Sequence, residues 1–302
     1  MLNLKTMTGF EYEKRGTYQE LTDFLLYTVL ETHELGLSSN NEMIYGLSVG
    51  DLSKPMYLVD GGLHGAHEWR TVHWVKEFAE RFNNPVNDSN KPIIEKIKKD
   101  FCLMVVPCLN TYGYINNSYT NANGVNLNRN FPHGWEGFNT EGSAIPGNGQ
   151  YKGPSPMSEP ESKIMQGLFD TYNVVAHVNT HTSGSYHGYT IENASSMQDS
   201  RRVVAQDFFD SMNMIFDGLQ PWNAQMTGKY GPFSNRSTPN VPWINEWGGL
   251  QDSKVGGKTF SIIFETGSLE TDYFQSELGM TGLLLIISLV HGWKKTGKLR
   301  NS

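Results

Sequence analysis

Long apolar runs, cysteine and basic charge are all scarce in this sequence, and each scarcity excludes something. The most apolar stretch runs from Leu283 to Val290, far short of the ~20 residues that cross a bilayer as a helix, so no membrane partner is expected. Cysteine occurs only twice, as Cys102 and Cys108 on one short run. Bridging them requires a sharp chain reversal, so they read as buried thiols rather than as a disulfide framework, and two thiols do not fix a redox compartment. The 24 Lys and Arg stand against 31 Asp and Glu, a formal net charge of -7, which argues against a nucleic-acid partner and its basic surface. The opening stretch MLNLKTMTGFEYEKRG holds no apolar segment, so no secretion signal is expected. The chain therefore reads as soluble, with cytoplasmic and released or virion-associated locations both open.

What is present is a chain of 302 residues, 38% hydrophobic and 18% charged, enough to bury a sizeable core. Apolar positions at Leu21, Leu25, Val29 and Leu30 predict a helix over 17–35. The segments EMIYGLSVG, MYLVDGG, FCLMVVP, NVVAHVN and FSIIFE are compact runs, several of them nearly unbroken apolar, that suit strands buried on both faces of a largely parallel sheet. TVHWVKEFAERF, PIIEKIKK, EPESKIMQGLFDTY, SRRVVAQDFFDSMNMIF and TGLLLIISLVHGWKK read as helices. Their alternation predicts an α/β architecture with helices on both faces of the sheet. Two stretches rich in Gly and Pro, 132–160 and 218–258, are long enough to wall a substrate groove.

The chemistry lies in four short segments: GGLHGAHEW (61–69), NGVNLNRNFP (123–132), VNTHTSG (178–184) and FSIIFETGS (260–268). In order they supply a His/Glu pair, an Asn-Arg pair, a lone His and a lone Glu. His64 leaves a predicted strand and Glu68 opens a predicted helix, so both converge at the carboxyl end of the sheet, where α/β ligand sites lie. His181 follows another buried strand. Two His and one carboxylate leave an open position on a catalytic zinc; His67, crowded between them, is an alternative ligand. Glu265 ends an apolar run, where a carboxylate is costly without a task or a partner; beside an activated water the task is general base and then proton donor. The Arg129 guanidinium, with Asn128 adding a neutral donor, matches a substrate carboxylate, and a free C-terminal carboxylate makes the activity that of an exopeptidase.

These segments resemble those of the zinc carboxypeptidase family, typified by the pancreatic carboxypeptidases. The family carries an HxxE pair in a GGxHxxEW context, a GVDLNRNF segment, a later His and a Glu on its last sheet strands. IYGLSVGD (44–51) also resembles the stretch before the first motif. The resemblance extends from about residue 17 to 293 and implies one catalytic domain over 1–302. The implied fold is a mixed, twisted, mostly parallel eight-stranded sheet with helices on both faces. Carried over position by position, it implies one zinc held by His64, Glu68 and His181, a terminal carboxylate gripped by Asn128 and Arg129, and Glu265 as the base.

Three departures stand out. Three residues separate His64 from Glu68 where the family has two, so the junction must absorb an insertion. The stretch YINNSYTNANG lacks the arginine that family members use to stabilise the oxyanion, leaving zinc, a neutral donor, or Arg70, Arg201, Arg202 or Arg236 for that work. The family's mobile tyrosine has no assignable counterpart: Trp243 and Trp247 occupy its region, and Tyr230 is the nearest earlier tyrosine. The stretch Trp243 to Asp252 is expected to contribute to terminal-residue specificity. The lack of a propeptide-like segment suits a bacterial or phage-type enzyme acting on a peptide or a peptidoglycan stem peptide with a free carboxylate. Two alternatives remain: an N-acyl amino-acid deacylase of the aspartoacylase-like type, and a non-catalytic binding or structural module.

Overall fold

The computed structural model describes residues 17–86, 88, 90–139, 142–183, 188–190, 244–254 and 259–267, and eight helical residues between 283 and 295. The side chains at 66–67, 182–190, 246 and 265–267 lie outside this description. The predicted helix over 200–216 also falls outside it, as do most of 218–258.

Strands β1 (Glu31–Leu37), β2 (Met43–Val49), β3 (Met56–Asp60), β4 (Cys102–Val106), β5 (Val174–Ser183), β6 (Gly188–Thr190) and β7 (Phe260–Gly267) form one sheet in the order β1-β2-β4-β3-β5-β7-β6. The centre β4-β3-β5-β7 is parallel, and both edges are antiparallel. The mixed sheet is as expected. Seven strands lie among the described residues, against the eight implied by resemblance.

Two apolar layers sandwich the sheet. On one face Tyr57, Val59, Leu103, Val105, Ala176, Val178 and Ile262 meet Val75, Phe78 and Phe82 of α2 (Trp69–Asn83), Ile94 and Ile97 of α3 (Lys91–Asp100), and Leu283 and Ile287 of the C-terminal stretch. On the other face Met56, Leu58, Met104 and Val106 meet Met165, Leu168 and Phe169 of α5 (Pro160–Thr171). Ile244 and Trp247 of α6 (Ile244–Gly249) complete that layer. Trp247 packs against Phe131 and Phe169, so within the stretch expected to set specificity this tryptophan is a core residue. Cys102 and Cys108 are free and buried.

The helix expected over 17–35 is shorter. Helix α1 runs from Tyr18 to Leu26, started by a capping box between Thr17 and Glu20. By Glu31 the chain is already strand β1, pairing with β2. Val29, part of the helical spacing, is 84% exposed, so burial does not use that position of the pattern. Among the described residues no helix is long and apolar enough to cross a membrane.

On α2, His73 is buried between Phe24 and Trp69. Burial, with the charges of Lys76 and Arg70 beside it, holds its imidazole down at about 3, whereas the unfolded chain titrates near ~6.5. Between those values the unfolded state binds more protons, so stability is full above the unfolded value and declines as pH falls through the window. The slope from this residue approaches about 1.4 kcal/mol per pH unit. Urea unfolding at a series of pH values should show it, and His73→Phe should flatten the dependence; an equally steep profile in that variant would assign the slope to other groups.

Candidate metal centre

Strands β3 and β5 are parallel neighbours, so their carboxyl ends open on the same side. The chain leaves β3 at Asp60, passes Gly61 and Gly62, reaches His64, and makes a 3-10 turn over Gly65–Glu68 that runs directly into α2. The Thr71 hydroxyl ties this junction, accepting from the Gly62 amide at 2.7 Å and donating to the Glu68 carbonyl at 2.7 Å. All three residues between His64 and Glu68 lie in that turn. It begins at Gly65 with φ +50 and lies against Gly113 of α4 (Thr111–Asn116).

His64, Glu68 and His181 come together with their ligand atoms within 4.8 Å of one another, the one such group among the described residues. All three are buried. Nδ1 of His64 lies 2.8 Å from Glu68 Oε1, and Nδ1 of His181 lies 2.9 Å from the same oxygen. His67, the alternative ligand, sits within the 3-10 turn, its side chain outside the description.

The outward nitrogens determine what the inward ones can be. His64 Nε2 is 3.2 Å from Asn126 Oδ1. That oxygen also accepts from the Asn128 amide at 3.0 Å, while Asn126 Nδ2 donates to the Gly149 carbonyl at 3.2 Å. The Asn126 amide is thus oriented as an acceptor, His64 donates through Nε2–H, and its Nδ1 carries a lone pair. His181 Nε2 likewise contacts Asn179 Oδ1. Two ring lone pairs and a carboxylate oxygen then face one another, an arrangement that calls for a cation at their centre. A proton suits His64 poorly, because burial pushes its imidazole down against the pull of Glu68, and His181 and Arg129 add to the depression. Burial raises the Glu68 carboxyl, and positive charge on His181 and His64 lowers it to about 2; a cation held between the rings would supply that charge in place of their protons. Glu68 Oε2 is buried with no hydrogen-bond partner among the described residues. The Nδ1 atoms of two imidazoles and a carboxylate oxygen are a donor set that fits zinc with an open position.

The other predicted residues surround this group. Leu127–Arg129 forms a second 3-10 turn. Asn128 Oδ1 accepts from the Ile244 amide at 3.1 Å, which turns its NH2 the other way as a donor. Arg129 is half-buried, donates through Nη1 to the Asn128 carbonyl at 2.8 Å and lies over the Phe138 ring. For Glu265 the description gives a strand position: it pairs in register with His181 on the adjacent strand β5. Arg70 covers the Trp69 ring. Arg201, Arg202, Arg236, Tyr230 and Trp243 lie outside the described residues.

Three contacts were not anticipated. Tyr119, in the stretch without arginine, stacks on His64 with ring centroids 4.1 Å apart. Asn126 and Asn179 take the outward nitrogens of the two His. A period-two signal, His-x-Asn-x-His over 177–181, is the trace in sequence that points to Asn179.

A sequence profile of the zinc carboxypeptidase family, named Peptidase_M14, matches residues 26–275. A metallocarboxypeptidase A-like protein of Trichophyton verrucosum is 28% identical over 186 residues, 54% of this chain and 42% of that protein. The gamma-D-glutamyl-L-diamino acid endopeptidase 1 of Lysinibacillus sphaericus is 31% identical over 111 residues, 35% of this chain and 28% of that protein. The matches thus span less than half the length of either relative. Among solved structures, the carboxypeptidase A of Helicoverpa armigera superposes with a TM-score of 0.69 at 16% identity, covering 95% of this chain and 78% of that one.

Proposed function

Because the chain belongs to the zinc carboxypeptidase family, we propose that it is a zinc-dependent carboxypeptidase, with one zinc per chain. The observation that carries this reading is the convergence of two buried ring nitrogens and a carboxylate oxygen within 4.8 Å of one another, with the outward nitrogen of each ring facing an amide oxygen. His64, Glu68 and His181 hold the metal. When bound, zinc supplies a Lewis acid that makes water nucleophilic near neutral pH and polarises the scissile carbonyl. Glu265 takes the proton from the attacking water and passes it to the leaving amine, so that the C–N bond breaks to a carboxylic acid and an amine. Arg129, with the NH2 of Asn128, grips the terminal carboxylate of the substrate. Residues 1–302 act as one catalytic unit.

The substrate class is a peptide with a free C-terminus, and a peptidoglycan stem peptide is the form we favour. The similar endopeptidase is named for the bond between a γ-D-glutamyl residue and an L-diamino acid, the kind of linkage that stem peptides carry.

The test compares zinc-loaded protein on free-acid peptides, the same peptides amidated, muropeptides and N-acetyl amino acids, read by mass spectrometry. Loss of one terminal residue from free acids is expected. Arg129→Ala should lower kcat/KM on them about ten- to a hundredfold and bring free and amidated rates together. Equal wild-type rates on both would remove the role given to Arg129. Release of acetate from N-acetyl amino acids would favour the deacylase, and no turnover on any substrate would favour the binding module.

A further inference from the structure

Behind the centre lies a chain of buried polar groups that the proposed reaction does not use. On β5, His177, Asn179 and His181 alternate along one face, while Ala176 and Val178 on the other belong to the apolar layer against α2. The register sets Asn179 beside Asp60 of β3 and His177 beside Ser261 of β7. His177 Nε2 lies 2.6 Å from Asp60 Oδ2, and His177 Nδ1 lies 2.8 Å from Ser261 Oγ. Asn179 Nδ2 donates to Asp60 Oδ1 at 2.5 Å, and Asn179 Oδ1 meets His181 Nε2. Asp60, His177 and Asn179 are all fully buried. Phe169 stacks edge-on against His177, and a side chain at Gly248 would collide with Ser261 Oγ at 2.8 Å, so the neighbouring core holds the row in place.

We infer that Asp60, backed by His177, dictates the ring tautomer of His181 and is a positioning residue of the metal centre. The inference rests on the metal reading above. A carboxylate can only accept. Asp60 accepts from His177 on one oxygen and therefore presents an acceptor to Asn179 with the other. Asn179 must turn its NH2 to Asp60; the reverse rotamer would set carbonyl against carboxylate. Its Oδ1 then faces His181, whose Nε2 must carry the proton, and the lone pair is left on Nδ1, the nitrogen turned to Glu68. One acidic group two contacts away thus decides which nitrogen can bind a cation, the kind of outer contact on which metal affinity depends.

Asp60→Asn reverses this polarity without emptying a site. With its oxygen kept for His177 Nε2–H, the new amide turns its NH2 to Asn179; the opposite rotamer requires His177 to move its proton to Nδ1 and donate to the Ser261 hydroxyl, a change that ring 15N spectra of His177 report. Asn179 flips, its NH2 meets His181 Nε2, and the ring must hold its proton on Nδ1. Every hydrogen bond is still made, so the metal-free fold should persist, while zinc affinity, measured by chelator competition, should fall about 10–100-fold. The double variant Asp60→Asn/Asn179→Asp exchanges the two groups, restores the original polarity and should return the affinity to the wild-type range.

The direct readout is the His181 tautomer in metal-free, 15N-labelled protein, from long-range ring 1H–15N correlations. We expect Nε2–H in the wild type, Nδ1–H in the single variant and Nε2–H in the double. A wild-type ring protonated on Nδ1, an unchanged zinc affinity in an Asp60→Asn protein whose His177 still holds its proton on Nε2, or a double variant as weak as the single would each overturn the inference. Should Asp60→Asn not fold, or should His177 carry its proton on Nδ1 in it, the wild-type tautomer decides alone. A wild type that binds no zinc but shows the Nε2–H tautomer would refute the metal reading and leave the positioning geometry standing.

Discussion

Replacing Glu265 by glutamine is expected to slow peptide hydrolysis about a hundred- to ten-thousand-fold while the protein retains one zinc per chain. The expectation comes from the position of the residue in the sheet. Strand β7 enters the core as Phe260, Ser261, Ile262, Ile263 and Phe264, all buried, and Glu265 follows them in register with His181. Neighbouring strands are about 4.8 Å apart, so the Glu265 backbone stands one strand from a proposed ligand and at the same height. A carboxylate at that point is costly to desolvate unless it works on something charged or reactive. The proposed metal would already have three protein donors in His64, Glu68 and His181; a fourth would close the position that water and substrate need. Glutamine keeps the shape and removes the basicity. Elemental analysis beside a turnover assay separates the outcomes: zinc lost with activity would make Glu265 a ligand, and activity retained would move the base elsewhere.

The sheet could be read from the sequence because its central strands are buried on both faces, so each appears as a short apolar run with few competing patterns. The proposed ligands could be read because His and Glu are costly inside a protein and so stand out beside such runs. The helix over 17–35 was overextended for the converse reason: Val29 and Leu30 have helical spacing, but pairing with β2 claims the chain from Glu31. What holds the site in orientation was hidden. Asn126 and Asn179 are common residue types whose importance depends on which atom faces which, and that follows from contacts 62 residues apart in sequence for Asn126 with His64 and 119 for Asn179 with Asp60. His177 lies within the apolar run NVVAHVN, and only the register, which sets Asn179 beside Asp60 and His177 beside Ser261, gives it partners. The spacing of His64 and Glu68 leaves the path between them open, and the structure supplies it as a 3-10 turn over Gly65–Glu68.

That turn should also be the most fragile point of the centre. At Gly65 the backbone has φ +50, and an added Cβ would lie 2.3 Å from the Gly113 carbonyl carbon and 2.7 Å from the Ser118 carbonyl oxygen. Both neighbours are backbone, and both are pinned: the Gly113 amide donates to Asn110 Oδ1 at 2.8 Å, and the Ser118 amide donates to the Gly113 carbonyl at 3.0 Å. Gly65→Ala therefore cannot be accommodated by turning a side chain. The unfavourable backbone region costs roughly 1–3 kcal/mol, and overpacking adds about 1–3 kcal/mol. The nearest relief is to push the turn away from α4, which carries His64 and Glu68 away from His181. Gly65→Ala should thus lose zinc and hydrolysis together, with a lower unfolding midpoint in the metal-free protein. Gly124→Ala, at another positive-φ glycine whose added Cβ meets nothing within 4 Å, separates the two causes. It carries the backbone strain without the collision and should keep its zinc. Equal zinc affinity in both variants would show that the turn tolerates the displacement and that the ligand set does not depend on its contact with α4.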